Sequence, residues 1–451
     1  MHTTRRWILI LAFALIWLSF SQPTLPAADY SVVVSKSTYA DAAWRQVVDA
    51  LVDKHGATVV QYESAAPESL DALREQFPRY ACFVAQPSEA GREFVAGVHR
   101  LTRQLDDDPY TDLFWGILTG YDADCALRIA EHNEPLTIER VASGTELAME
   151  MVAEGVWYCE LNKNLCVRKQ PGKQAQREEC PDDTTKLLVD SLNDYRAQLF
   201  VTSGHATERD WQIGFRYRNG SFRCEGGTVY GRDTAGKRHP VDSPNPKVYM
   251  PIGNCLMGHV DSQDAMALAF MNSAGVNQMI GYTVPTWFGY AGWGCLDYFV
   301  EQPGRYTFTE AFLANQHALV HRLETEPKSG ATRGLTFDRD VLAFYGDPAW
   351  QARMADGPVA WKQSLTETDG VWTLSIEPQR GEATFAPINT NGSQRGGRPI
   401  VAFLPRRVPT QNVKIIAGAE LAPLVTDTFI LVPNPGKCDP AKEYRVVFTA
   451  K

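Results

Sequence analysis

Short apolar runs alternate with longer stretches of helical periodicity through most of this chain. The runs at 31–34 (SVVV), 57–62 (ATVVQY) and 80–85 (YACFVA) have the length and composition of buried strands. The stretch 39–54 places apolar residues at helical spacing, and Gly56 follows where a helix would end. Strands that alternate with helices predict a mostly parallel sheet covered by helices, so we expect an α/β protein.

The alternation resumes in a second series. Strand candidates are QLFVTSGH (198–205), KVYMPIGNC (247–255) and VNQMIGYT (276–283), with helical stretches at 264–274 and 309–323. The C-terminal part of the chain changes to short β-like runs separated by Gly, Pro and Asn, which is typical of a small β-sandwich. We therefore expect two α/β subdomains followed by a C-terminal β-sandwich.

Length, composition and charge exclude several classes of protein. The chain has 451 residues, enough for two to four domains at roughly 150 residues each. Its 44% hydrophobic and 22% charged residues are typical of a globular protein. The net charge is −9, and no run of Lys or Arg is present. No nucleic-acid partner is therefore expected.

The N-terminus has the layout of a secretory signal. Arg5 and Arg6 precede an apolar run at 7–20, and small residues follow at 26–28. Fourteen residues are fewer than the roughly 20 that a spanning helix needs, although an uncleaved anchor is the alternative. We expect a signal peptide over 1–28 and a secreted or periplasmic protein with no membrane span after cleavage.

The cysteines bear on the same expectation. The chain has nine of them and no C-x-x-C pair, so an exported chain keeps at least one thiol unpaired. Cys159, Cys166 and Cys180 lie in the polar stretch 157–182, which lacks periodicity. We expect this stretch to be a connecting segment, or excursion, between the two α/β subdomains that is stabilised by disulfides.

Two apolar strand candidates lead into reactive side chains, His205 and Cys255. The carboxyl ends of parallel strands share one edge of a sheet, where binding sites form. A cysteine with an upstream histidine is the general form of a thiol nucleophile with its base. Gly204, Gly253 and Gly258 nearby would permit tight turns. A buried core cysteine and a structural histidine are the alternatives.

Four segments in this region resemble a known family. FVTSGHATERDW, MPIGNCLMGHV, GVNQMIGYTVPTWFGYAGWG and FYGDPAW are similar, in this order, to segments of the gingipain family of cysteine peptidases, which have the caspase–haemoglobinase fold. The resemblance covers residues 185–350. It implies two caspase-like α/β subdomains with mostly parallel sheets and an immunoglobulin-like C-terminal domain.

The resemblance also implies roles for individual residues. His205 matches the family's catalytic histidine and Cys255 its nucleophile. The backbone N–H groups of Gly204 and Ala206 would contribute to an oxyanion hole. The family usually has glycine at the position of Ala206. The N–H of an alanine can donate equally well, unless the position requires a positive φ.

Three further residues are assigned from the resemblance. Asp122 lies near the family's acidic residue that orients the histidine, with Asp124 and a solvated turn as alternatives. Trp287 matches a tryptophan near the substrate pocket, and an ordinary core aromatic is the alternative. Asp347 in FYGDPAW is expected to brace a turn. No acidic residue is assigned to the pocket floor, so an Arg or Lys preference does not carry over.

Metal chemistry is the competing interpretation. His317 and His321 are four apart on a helical stretch, but the HExxH pattern is absent and an exposed helix face is the favoured explanation. His259 could join His205 and Cys255 around zinc, although the metal would then occupy the nucleophile. We expect no metal and no cofactor.

The sequence thus predicts an exported cysteine endopeptidase that acts on peptide or protein substrates through Cys255 and His205. The alternative is a catalytically inactive scaffold or peptide-binding module of the same fold. The expected segments are a signal peptide (1–28), an N-terminal α/β subdomain (29–156), a Cys-rich excursion (157–184), a catalytic α/β subdomain (185–352) and a β-sandwich (353–451).

Overall fold

The computed structural model describes residues 29–450, so the expected signal peptide lies outside the described residues. Within 29–450, no helix is both long and apolar enough to cross a membrane.

The helices are α1 (Lys36–Ala40), α2 (Ala42–His55), α3 (Leu70–Gln76), α4 (Arg92–Thr102), α5 (Ala123–Glu131), α6 (Thr185–Asn193), α7 (Met266–Ser273), α8 (Tyr290–Phe299), α9 (Phe308–Thr325) and α10 (Gly330–Asp338). The strands up to the last of the main sheet are β1 (Tyr30–Ser35), β2 (Thr58–Tyr62), β3 (Tyr80–Val84), β4 (Phe114–Leu118), β5 (Leu136–Ile138), β6 (Arg140–Ser143), β7 (Glu154–Tyr158), β8 (Leu165–Lys169), β9 (Gln176–Glu179), β10 (Leu199–Thr202), β11 (Asp210–Gln212), β12 (Ser221–Glu225), β13 (Thr228–Arg232), β14 (Arg238–Pro240), β15 (Lys247–Pro251), β16 (Val276–Tyr282) and β17 (Leu342–Tyr345). The remaining strands are β18 (Ala352–Met354), β19 (Trp361–Thr368), β20 (Val371–Pro378), β21 (Ile400–Phe403), β22 (Lys414–Ala417), β23 (Leu424–Val425), β24 (Phe429–Val432) and β25 (Tyr444–Thr449).

A twelve-stranded sheet forms the centre of the molecule, in the order β2-β1-β3-β4-β17-β16-β15-β10-β6-β7-β8-β9. Most neighbours run parallel, and the antiparallel pairs are β16 with β17 and the β7-β8-β9 edge. The predicted mostly parallel α/β architecture is confirmed. The strands of the two expected α/β subdomains lie in this one sheet, because β17 pairs with β4 on one side and β16 on the other.

The local structure of β1 and α2 follows from their sequence patterns. Every residue of β1 is buried, as expected for a strand covered on both faces. Helix α2 buries Trp44, Val47, Val48 and Leu51 on one face. Gly56 ends it in the left-handed conformation, with φ of 62°, which glycine adopts without steric cost. The predicted helix and its terminator are thus confirmed.

The polar stretch 157–182 adds strands to the sheet, which the sequence did not predict. Strands β8 and β9 extend the sheet beyond β7 as an antiparallel hairpin. Strand β9 is the edge strand of the sheet, and all of its residues are exposed. An exposed strand needs no apolar face, so this part of the sequence has no apolar periodicity. Charged side chains on an exposed edge also hinder pairing with other chains.

This hairpin brings the three cysteines of the polar stretch together. Cys159, Cys166 and Cys180 are all buried, and the Cys180 thiol interacts with Cys166. All nine cysteines between residues 29 and 450 are free thiols in the structure. Disulfide pairing in the hairpin therefore stays a prediction.

The C-terminal strands form two antiparallel sheets around a shared apolar core. One sheet has the order β19-β20-β25-β22 and the other β21-β24-β23. Trp372 and Phe448 from the first sheet and Ile400 and Ile430 from the second are buried in that core. This is a seven-stranded β-sandwich. In an immunoglobulin constant-type domain the fifth strand lies in the four-stranded sheet and the seventh in the three-stranded sheet. Here the fifth strand, β23, lies in the three-stranded sheet and the seventh, β25, in the four-stranded sheet. The immunoglobulin-like expectation is therefore not confirmed.

The smaller of these sheets also covers helix α9. His317, expected on an exposed helix face, is only 1% exposed. Its ring stacks on Phe429 of β24, with centroids 4.0 Å apart, and burial lowers the pKa of His317 to about 3. His321 is half-buried, with Nδ1 3.5 Å from the Tyr110 hydroxyl. The expectation of an exposed face is wrong because the β-domain packs on this helix.

Candidate active site

His205 and Cys255 follow two neighbouring strands of the main sheet. Strands β10 and β15 pair in parallel, with Thr202 opposite Pro251 at their carboxyl ends. The chain then continues for three residues to His205 and for four to Cys255. Both residues line one cavity of about 330 Å³. The register of two parallel strands therefore brings together the residues that the sequence singled out.

Cys255 lies in a tight turn and is half-buried. The backbone N–H of Thr286 donates to its Sγ at 3.1 Å, which fixes the position of the sulfur. The next residue, Leu256, has a φ of 60°, a left-handed conformation that is uncommon for a residue with a branched side chain. Its strained backbone forms part of the turn that presents the sulfur to the cavity.

The His205 ring is exposed and packs against an aromatic side chain. It stacks on Phe215 with centroids 4.7 Å apart and an interplanar angle of 29°. No side chain or backbone group within 29–450 hydrogen-bonds to this ring, Cys255 included. Stacking on Phe215, rather than a carboxylate, therefore restricts the orientation of the imidazole.

A buried asparagine joins the loops that carry His205 and Cys255. The Oδ1 of Asn254 accepts a hydrogen bond from the Thr202 hydroxyl at 2.7 Å. Its Nδ2 donates to the Gly204 carbonyl at 3.1 Å. Asn254 is fully buried, so both bonds are shielded from water. They fix the peptide before His205 relative to the peptide before Cys255.

Two glycines are required by this geometry. Gly204 has a φ of 98°, and a Cβ at Gly253 would lie 2.9 Å from Nε1 of Trp293. Ala206 does not have a positive φ and forms a bridge with Trp211, so alanine fits this position without backbone strain. The N–H groups of Gly204, Ala206 and Cys255 donate to no other group of the described chain, which leaves them available to a ligand.

Glu160 is a cavity residue that the sequence did not indicate. It is 6% exposed, and its Oε1 accepts hydrogen bonds from the Thr145 hydroxyl at 2.6 Å and from Nδ2 of Asn391 at 3.4 Å. Its Oε2 is buried and has no partner within the described chain. Burial raises the pKa of Glu160. The residue lies in the aperiodic stretch 157–182, where no pattern marks it.

The other walls come from distant parts of the chain. Trp293 of α8 lines the cavity, together with Asn391 and Gly392 from the segment before β21. Trp287, predicted near the pocket, is 53% exposed and packs on Phe337 outside the lining. The tryptophan in contact with the cavity is thus Trp293.

Asp122 lies away from this cavity. Its Oδ1 accepts from the backbone N–H of Cys125 at 2.9 Å and caps α5. It follows β4, which three intervening strands separate from β10, a distance of roughly 19 Å at about 4.8 Å per strand. The structure does not bring Asp122 to His205, and Asp124 lies exposed in the first turn of the same helix. We do not assign either residue an orienting role.

Two other expectations concern residues outside the cavity. Asp347 braces its turn, because its Oδ1 accepts from the backbone N–H of Ala349 at 3.0 Å. His259 points to Glu208, with Nδ1 3.3 Å from Oε1. No metal-ligating group found between residues 29 and 450 combines His259 with Cys255 or His205.

A larger concavity of about 790 Å³ adjoins the first one, since Phe215 lines both. Four arginines contribute to it: Arg216, Arg218, Arg223 and Arg232. The candidate site therefore opens beside a surface with cationic character, in a chain whose overall charge is negative.

Comparison with known proteins gives structural matches alone. No protein-family profile and no curated protein sequence matches the chain. Two solved structures are similar to it. The complex of the pro- and mature domains of RgpB from Porphyromonas gingivalis matches over 94% of this chain and 93% of its own, with 11% identity and a TM-score of 0.46. The Arg-specific cysteine proteinase gingipain R (RgpB) matches over 95% of this chain and 93% of its own, with 10% identity and a TM-score of 0.47. Both matches extend over at least 93% of each chain.

Proposed function

We propose that this protein is an exported cysteine endopeptidase in which Cys255 is the nucleophile and His205 the general base and acid. The observation that carries the proposal is the shared cavity of about 330 Å³ at the ends of two adjacent parallel strands. A thiol, an imidazole, unused backbone N–H donors and a concave wall are the groups that acyl transfer requires.

The proposed reaction proceeds in two halves. The Cys255 thiolate attacks the carbonyl carbon of the scissile peptide, and a C–S bond forms. The negative charge on the former carbonyl oxygen would be stabilised by the N–H groups of Gly204, Ala206 or Cys255, at roughly 3 kcal/mol per donor. The His205 imidazolium then protonates the leaving amine as the C–N bond breaks. Water, deprotonated by His205, hydrolyses the acyl-enzyme and releases the carboxylate and the thiol.

Glu160 indicates which substrate side chain the cavity would accept. An unpartnered buried carboxylate oxygen lacks a hydrogen-bond donor, and its desolvation is costly until one is supplied. A lysine or arginine side chain would supply both a donor and a compensating charge. We therefore propose that the enzyme prefers peptides with a cationic residue at the position that enters this cavity.

Labelling with a peptide electrophile that reacts with thiols tests the proposal. Cys255 and Cys224 are the two cysteines of the described residues that are not buried, so Cys224→Ala is the matched control. We expect wild type and Cys224→Ala to be labelled equally and Cys255→Ala not at all. His205→Ala should slow labelling by at least about 100-fold, because the base is lost.

The outcomes separate the two candidate functions. Labelling that is unchanged in Cys255→Ala, or equally fast in His205→Ala, would contradict the dyad. Specific labelling of Cys255 without turnover of any peptide in a cationic-residue library would favour the inactive peptide-binding module. Turnover that is lost in both Cys255→Ala and His205→Ala supports the endopeptidase.

A further inference from the structure

A second site lies outside the cavity that contains Cys255, where the β-sandwich meets the α/β sheet. Four aspartates meet there: Asp106, Asp108 and Asp112 in the loop between α4 and β4, and Asp427 in the turn between β23 and β24. One carboxylate oxygen from each lies within 4.8 Å of the others. Three of the ligand candidates thus belong to one loop and the fourth to the C-terminal domain.

Two of these carboxylates are buried and carry an oxygen without a partner. Asp112 and Asp427 are each 6% exposed. Oδ2 of Asp112 and Oδ1 of Asp427 make no hydrogen bond to any part of the described chain. Leaving a buried carboxyl oxygen unpaired carries a desolvation cost, so each of these atoms would gain from a positively charged or donating ligand.

The protein supplies one cation to the group. Nε of Arg407 lies 2.6 Å from Oδ2 of Asp427, the oxygen opposite the unpartnered one. The four carboxyl groups thus share a single guanidinium. Carboxylates this close repel each other strongly in a partly buried site.

The donor set selects the kind of cation. Calcium binds six to eight oxygens at about 2.3–2.6 Å, so two oxygens on one ion lie at most about 5 Å apart. The spacing within the cluster satisfies that limit. Zinc prefers nitrogen and sulfur ligands. Magnesium retains several waters, which two buried carboxylates leave little room for.

We propose that Asp106, Asp108, Asp112 and Asp427 bind one Ca²⁺ ion that joins the α4–β4 loop to the β23–β24 turn. The ion would cross-link the C-terminal domain to the central sheet and neutralise the excess negative charge there. Because none of the four aspartates lines the cavity that contains Cys255, the inference is independent of the proposed peptidase activity.

Calcium titration of the full mature chain tests this proposal. The measurements are the melting temperature with EDTA or with CaCl₂, and the luminescence of Tb³⁺, a Ca²⁺ analogue that Tyr110 of the same loop can sensitise. We expect saturating Ca²⁺ to raise the melting temperature of wild type by at least about 2 °C. The double variant Asp106→Asn/Asp112→Asn should show no Ca²⁺-dependent shift and no Tb³⁺ signal.

Asp107→Asn is the matched control, since Asp107 lies in the same loop, is exposed and is not one of the four. It should respond to Ca²⁺ as wild type does. If the double variant fails to fold, Asp106→Asn alone carries the test, with Ca²⁺ binding weakened at least about tenfold. Wild type that shows neither a Ca²⁺-dependent shift nor Tb³⁺ luminescence would overturn the proposal. So would a double variant that still binds Ca²⁺ like wild type.

Discussion

Individual residues differed in how far the sequence identified them. His205 and Cys255 each follow an apolar run, and parallel strands with such ends place them at one edge of the sheet. Glu160 could not be found in this way. Its position in the cavity depends on hydrogen bonds from two residues. Thr145 lies in the segment after β6, and Asn391 lies 231 residues after Glu160. A contact between segments so far apart leaves no local pattern.

At the residue scale, we predict a pH dependence that belongs to Glu160. Burial raises the pKa of its carboxyl, so the group ionises at a higher pH than an ordinary glutamate. KM for peptides with a cationic residue should fall as the pH rises through that pKa, because the charged form binds the cation. Glu160→Gln should raise KM about tenfold at neutral pH and remove the dependence, with kcat little changed.

Steady-state kinetics on matched lysine and norleucine peptides measure this effect. Glu146→Gln is the control, since Glu146 lies near Glu160 but outside the cavity lining. A Glu160→Gln enzyme that keeps the wild-type preference for lysine would show that another group recognises the side chain.

At the scale of secondary-structure elements, the turn after β17 joins separate parts of the fold. Asp347 accepts from the Tyr30 hydroxyl at 2.8 Å and lies 2.8 Å from Nε2 of His55 and 3.0 Å from Nζ of Lys54. This one carboxylate therefore connects β17 to β1 and to the end of α2. Burial alone would raise the pKa of Asp347, but His55 and Lys54 outweigh it and hold the pKa well below its usual range.

We predict that Asp347→Asn lowers the free energy of unfolding by about 3 kcal/mol at neutral pH, because it leaves the largely buried Lys54 ammonium without its counter-charge. In wild type this contribution is present above about pH 4, the ordinary pKa of an aspartate. It is lost as the pH falls towards the lower pKa of the folded state. Urea unfolding at pH 7 and pH 3 measures both effects. Asp49→Asn, at an exposed position on α2, should match wild type.

Elements with buried, continuous apolar runs could be predicted, whereas others depended on their neighbours. Helix α8 contains Gly292 and Gly294, which disfavour a helix in isolation. A Cβ at Gly292 would lie 2.1 Å from the carbonyl of Ile252, and one at Gly294 2.0 Å from Oδ1 of Asn315. The glycines thus allow close packing around α8. Strand β19 (WKQSLTET) is mostly polar, and its only buried residue is Trp361. It is a strand because all of its residues pair with β20.

For the whole molecule, the segment before β21 completes the cavity that contains Cys255 and is held by buried ion pairs. Asp297 on α8 lies 2.7 Å from Nε of Arg395 and 2.8 Å from Nε of Arg398. Arg395 also pairs with Glu301. All four side chains are at most 7% exposed. The same segment supplies Asn391 and Gly392 to the cavity, so the C-terminal part of the chain forms part of the wall of the candidate site.

We predict that Arg395→Met raises KM for peptide substrates about tenfold, because the wall formed by Asn391 and Gly392 loses its anchor. The reaction of Cys255 with iodoacetamide, a reagent too small to need that wall, should keep its wild-type rate. Arg380→Met, at an exposed position, is the control. An Arg395→Met enzyme with unchanged KM, folded by circular dichroism, would show that the segment plays no part in binding.

The strand order of the central sheet also bears on how the chain is made. Strand β4 ends at Leu118, and its neighbour β17 begins at Leu342. At about 5–20 residues per second, a ribosome needs roughly 11–45 seconds to make the intervening chain. Throughout that time one edge of β4 has no partner, and unpaired edges promote aggregation. A nascent chain of this protein should therefore depend on chaperones until β17 has been synthesised.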